Sequence, residues 1–196
     1  MVGVLTESGR DSQVRITYQL PNSFRLDRLG NGGNNVVFDG NSKASSSIGA
    51  LSEAEEDLME AFLEDAPESM LFSLKKQIYS LRIIARHSRL DQSSIFEDIY
   101  ELIGAPPSKG SPVRRQKHYY FNSDTHLASR VRYKIAKSNG TVVFVETLRG
   151  DWRKIGNEFV PAQIKRIESG QTVLAFSANN ISTSPAVADG SFANAK

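Results

Sequence analysis

The chain has 196 residues with 24 Lys or Arg against 22 Asp or Glu and no cysteine. That length suits one domain, and the hydrophobic fraction of 39% with ten Phe and six Tyr suits a packed core rather than a disordered chain. The charge balance argues against a general nucleic-acid footprint, and the lack of cysteine excludes disulfides, thiolate chemistry and cysteine zinc sites. The opening Met-Val-Gly-Val-Leu-Thr-Glu has no basic region ahead of an apolar core and does not read as a signal peptide. No apolar run is long enough for a membrane-spanning helix.

The first forty residues read as short strands. Val14, Ile16 and Tyr18 alternate with Gln13, Arg15 and Thr17, the pattern of a half-buried strand. Pro21-Asn22 breaks it, and Phe24 and Leu26 alternate with Arg25 and Asp27 in the next. A Gly/Asn turn over residues 30–34 leads to a third short strand over 35–39, which predicts a hairpin. Residues 41–51 are small and polar and read as a loop.

The period then changes. Ser52-Glu53-Ala54-Glu55 has the form of a capping box, and Leu58, Met59, Phe62 and Leu63 recur at helical spacing. Glu53, Glu55, Glu56, Asp57, Glu60, Glu64, Asp65 and Glu68 read as a solvated acidic face. A second helix begins near Pro67 and carries Met70, Leu71, Leu74 and Ile78. From about residue 80 the spacing of Leu81, Ile84 and Ala85 would extend the helix and that of Leu81, Ile83 and Ala85 would make a strand, which is favoured because a hairpin partner follows. A hairpin is expected over 81–103, followed by strands over 115–121, 129–136, 141–149, 157–168 and 171–181, with turns at 122–124, 138–140, 150–151 and 169–170. Residues 183–196 read as a flexible tail behind a domain spanning 1–182.

This order predicts an α+β, mostly β fold: a curved antiparallel sheet with short helices across its concave face. Tyr120, Val131, Tyr133, Val143 and Val145 are expected to face those helices.

Candidate chemistry is sparse. His118 and His126 flank a turn with Asp124 but lack metal-site spacing, and no metal or cofactor is expected. Residues 30–34 lack the ending of a phosphate loop, and no nucleophile motif is present, so no enzymatic activity is expected. Arg114, Arg115, Lys117, Arg130, Arg132 and Lys134 interleave with Tyr119, Tyr120, Phe121 and Tyr133, a pattern that two paired strands with one polar face produce without nucleic acid. The apolar helix residues Leu58, Phe62, Leu63, Met70, Leu71 and Leu74 fit either a closed core or a lid over a cavity.

Three stretches carry a resemblance. Tyr18 to Leu26 with Val37-Phe38-Asp39-Gly40, then Tyr119 to Tyr133 with its Asp124-Thr125 turn, then Asp151-Trp152-Arg153, Gly156, Phe159-Val160-Pro161 and Ile164 are similar to strand and turn patterns of the lipoprotein-localisation-factor (LolA-like) superfamily. The resemblance implies an open half-barrel with a helical lid over an apolar cavity. It also implies non-enzymatic binding of a lipid, a lipoprotein acyl chain or another hydrophobic ligand in a periplasmic or secreted setting. Phe62, Met70, Leu74, Tyr120 and Tyr133 are then the expected ligand contacts. The alternative is an interaction or sensor module with a filled core and an envelope protein as partner.

Overall fold

The computed structural model describes residues 1–20, 23–30, 35–38, 43–45, 53–76, 79–89, 95–104, 116–137 and 140–183. The expected turns at 21–22, 31–34 and 138–139, the Ser52 cap, Ile78, the turn ahead of Ile95, the loop over 105–112 and the tail from 184 lie outside the described residues.

Among the described residues, twelve strands form one open antiparallel sheet. They are β1 (Val2–Glu7), β2 (Arg10–Gln19), β3 (Ser23–Arg28), β4 (Val36–Phe38), β5 (Lys43–Ser45), β6 (Tyr79–Arg89), β7 (Phe96–Gly104), β8 (Gln116–Asn122), β9 (Ala128–Ala136), β10 (Val142–Ile155), β11 (Glu158–Glu168) and β12 (Gln171–Asn180). Their spatial order is β5-β4-β3-β2-β1-β12-β11-β10-β9-β8-β7-β6. Two consecutive meanders are thus joined where β1 pairs with β12. The strands approach closely there, and a side chain at Gly3 would collide with the Ser177 carbonyl.

Between β5 and β6, on opposite edges of the sheet, the chain forms α1 (Glu53–Met59), a π-helical turn (Glu60–Glu64) and α2 (Pro67–Lys75). The Asp65 amide donates to the Glu60 carbonyl at 2.9 Å, the long-range bond of a π-turn. The wider turn brings Ala61, Phe62 and Leu63 all into the interior. Pro67 opens α2 at a position where its missing amide hydrogen costs nothing.

A twelve-stranded sheet buries one face by curving around these helices. The interior has two parts. Leu5, Val14, Ile16, Phe24, Leu26, Ile164, Leu174 and Phe176 pack with Leu58, Met59, Phe62 and Leu63. Leu102, Tyr119, Val131, Tyr133 and Val145 pack with Met70.

Three expectations change. Residues 2–7, not among the expected strands, form β1, and the expected loop at 41–51 contains β5, paired with β4. Gly150-Asp151 does not turn the chain: Asp151 adopts φ 47°, yet β10 keeps its register with β11 on both sides, from Val145 opposite Glu168 to Ile155 opposite Glu158.

Candidate ligand site beneath the helices

The floor of the site is set by strand register. Lys117 on β8 stands opposite Tyr133 on β9, Tyr133 opposite Val145 on β10, and Thr147 opposite Arg166 on β11. Side chains repeat every second residue, so Lys117, Tyr133, Thr147 and Arg166 project from the same face as Val131 and Val145. Four polar groups thereby enter the floor, and Arg149, two residues beyond Thr147 on β10, is a fifth.

Asp65, at the corner between the π-turn and α2, meets them with no exposed surface. Lys117 Nζ donates to one of its oxygens at 2.7 Å; Thr147 Oγ1 and Tyr133 OH donate to the other at 2.6 and 3.1 Å. Arg166, also fully buried, donates to Tyr133 OH at 2.9 Å and pairs with Asp57 at 3.0 Å, Glu60 at 3.1 Å and Glu168 at 3.0 Å. Lys137 lies 3.0 Å from Glu168 and 3.8 Å from Asp57. Arg149 donates to the Ala61 carbonyl at 2.6 Å.

Much of the acidic helix face is therefore not solvated, contrary to expectation. Asp65 and Glu55 are buried, and Asp57 and Glu60 dock on buried Arg166. Acidic residues compensate cations in the floor that burial would otherwise make costly.

These contacts shift ionisation. Burial opposes charge on Asp65, but Lys117 together with the hydrogen bonds from Lys117 and Thr147 outweighs it and holds the carboxyl below the usual range. Burial likewise opposes charge on Lys117, and Asp65 reverses the balance and keeps the ammonium protonated above its usual range. Burial pushes Asp57 up to about 6, against the pull of Arg166. The folded Asp57 carboxyl thus binds its proton more tightly than the unfolded one. Its contribution favours folding increasingly as pH falls from about 7 to about 4. Asp65 has the opposite sign, and its contribution is lost only as pH falls below the ordinary carboxylate value of 3.8. The difference in melting temperature between wild type and Asp57→Asn should therefore shift in favour of wild type between neutral pH and about pH 5. A pH-independent difference would show that Asp57 does not titrate in that window.

The five expected ligand contacts have different surroundings. Phe62, 1% exposed, is packed among Tyr18, Phe24 and Phe176 at ring separations of 6.2, 5.8 and 5.4 Å. Met70 is buried in the second part of the core, with Leu74 partly buried against it beside Phe121, Ile135 and Val143. Tyr133 is buried and carries the hydroxyl that links Asp65 to Arg166. Tyr120 is a correction. It follows Tyr119, a member of the concave core, and so points to the other face, where Arg130 and Arg132 lie over its ring at 4.6 and 5.5 Å. Val131, Tyr133 and Val145 have the expected orientation, with Val143 partly buried against them.

The convex face accounts for much of the basic–aromatic pattern. Arg130 pairs with Glu97 at 2.5 Å, Arg132 with Glu146 at 2.6 Å, and His118 Nε2 lies 3.0 Å from Glu101. Arg114 and Arg115 lie outside the described residues. At one end of the concave side, a groove of about 480 Å³ is lined by Ile16, Tyr18, Leu20, Val160 and Ile181 with Arg15 and Glu158 at its polar margin. Tyr18 connects this groove to the Phe62 ring.

Among the described residues no group of three His, Asp or Glu is placed to hold a metal, and no helix is long and apolar enough to cross a membrane. The latch of Asp65, Lys117, Tyr133, Thr147 and Arg166 went unrecognised in the sequence. The available signal was a polar residue at an apolar position of each strand, clearest in Val160, Ala162, Ile164, Arg166 along β11.

No protein-family model and no curated protein sequence matches the chain. Among solved structures it is similar to the LolA superfamily protein NE2245 from Nitrosomonas europaea. The TM-score is 0.52 and the identity 10%, over 90% of this chain and 80% of that one. An open antiparallel sheet with two short helices across its concave face, in an arrangement shared with that protein, is a LolA-like fold.

Proposed function

We propose that this protein binds an acyl chain or a similar hydrophobic ligand beneath its helices, without catalysing a reaction, in a periplasmic or secreted setting. The observation that carries the reading is how the helical layer is held. It is seated on the sheet through a compact cluster of buried charges around Asp65 and Arg166, while Leu74, Phe121, Ile135 and Val143 beside it stay only partly covered. The layer also packs through Leu58, Met59, Phe62 and Leu63, so both contacts give way when it parts from the sheet, and the apolar surface beneath is what an acyl chain covers. Each methylene buried contributes about 0.8 kcal/mol, so a long chain offsets both the parting of the helices and the cost of association. Met70 and Leu74 on α2, Phe62 on the π-turn and Tyr133 on the floor are the proposed contacts; Tyr120, on the other face, is not.

The LolA-like fold supports this reading, and so does the groove lined by Tyr18, whose ring lies against Phe62. The packing of Phe62 among three rings favours a second reading, a filled interaction module with an envelope protein as partner. Titration with a fluorescent fatty acid separates them. Wild type should bind with micromolar affinity, Leu74→Glu should bind at least tenfold more weakly, and Glu56→Lys on the exposed side of α1 should bind as wild type. Absence of binding by wild type would leave the interaction module as the standing reading.

A further inference from the structure

We propose that the outer surface of α2 and the adjoining edge strand β6 form a docking face for an anionic lipid bilayer. The helix pair reverses its charge midway. Residues 53–68 hold eight acids and no Lys or Arg, whereas from Ser69 to Leu90 there is no acid, and Lys75, Lys76, Arg82, Arg86 and Arg89 follow. With a net charge of only +2, this concentration of cations is local along the chain, and in space Glu101 and Asp98 of β7 lie beside Arg82 and Arg86.

The same stretch exposes large apolar side chains. Leu71 is 61% exposed and Phe72 is exposed beside it on α2; Leu81, Ile83 and Ile84 are exposed on β6. Leu81 and Ile83 stand opposite Leu102 and Tyr100 and so belong to the concave side, whereas Ile84 sits in the bulge between Ile83 and Ala85. Arg82 reaches Glu101 but its side chain remains 62% exposed. Exposed apolar groups among cations are the composition that headgroups and upper acyl chains of an anionic membrane accept.

A strand added to the open edge of β6 is the competing occupant. The edge is long, 11 residues, and among the described residues no strand pairs with its outer side. Its ladder is nevertheless irregular, with register shifts between Ile83 and Ala85 and between Ala85 and Ser88 and φ 45° at His87. Bulges and arginines are devices that discourage strand addition, and they also disfavour pairing with a second copy of this basic strand. A fluid anionic surface needs no register, and it engages α2 and β6 together. The docking face stands apart from acyl binding, since a protein with a filled interior would present the same surface.

Sedimentation of the full chain with phosphatidylcholine vesicles, with and without one-third phosphatidylglycerol, tests this. Binding to the anionic vesicles should exceed binding to the neutral ones at least tenfold and weaken as salt is raised. Lys75→Gln with Lys76→Gln should reduce it roughly 20- to 30-fold, and Phe72→Ser should reduce it without altering the salt dependence. Lys154→Gln with Lys165→Gln makes the same charge change at exposed positions elsewhere on the sheet and should leave binding within about twofold, the change expected of charges beyond a Debye length. Equal binding to both vesicles, no binding, or an equal loss in the control would overturn the proposal. So would saturation of the face by an alternating Glu/Leu peptide that shifts the β6 amide resonances while vesicles do not bind.

Discussion

Asp65→Ala is expected to destabilise the protein by about 3–5 kcal/mol. For a chain of this size that lowers the melting temperature by roughly 6–20 °C. The loss exceeds what one hydrogen-bonded carboxylate contributes because of what it leaves behind. Lys117 would keep a buried ammonium without its nearest counter-charge, and the Thr147 and Tyr133 hydroxyls would lose their acceptor. Asp65→Asn keeps an acceptor for the hydroxyls and should fall between Ala and wild type. Changing Asp65 to Leu together with Lys117 to Met removes both charges, and its cost should be clearly smaller than the sum of the single changes. Thermal melts of wild type, Asp65→Ala, Asp65→Asn, Asp65→Leu, Lys117→Met and the double variant read this directly. Strict additivity would mean that the two charges do not stabilise one another.

Phe62→Ala should cost a similar amount, about 3–5 kcal/mol, by a different mechanism. The ring fills a space bounded by Tyr18, Phe24 and Phe176, and rigid neighbours on three strands cannot collapse into it. The resulting cavity is apolar and adjoins the groove at Tyr18, so Phe62→Ala should bind a small apolar probe at least as well as wild type while melting earlier. Phe62→Leu fills part of the space and should restore much of the stability. A melting temperature unchanged in Phe62→Ala would mean that the π-turn is not seated in the core.

Much of the sheet was legible because alternation and turn chemistry agree. β2, β3, β9, β11 and β12 each show period two, and Ser169-Gly170 reverses the chain where expected. Both helices follow from apolar spacing and Pro67. What failed was what depends on distant partners. β5 is three residues at an edge, held by pairing with β4 rather than by its own pattern. The acidic helix looked solvated because its cations Lys117, Lys137 and Arg166 lie far along the chain. The Tyr119-Tyr120-Phe121 run is aromatic throughout, so its facing is fixed by register with β7 and β9 rather than by its own sequence.

The proposed function rests on the helical layer parting from the sheet when an acyl chain enters. The chain contains no cysteine, so Ala54→Cys on α1 and Lys165→Cys on β11, both at exposed positions, give one spin-label pair. Pulsed dipolar distances between them, taken with and without saturating palmitate, are the most direct measurement. The expected result is a distance that lengthens by several ångströms on binding and returns when palmitate is stripped. Palmitate bound at saturation with the distance distribution unchanged would contradict it.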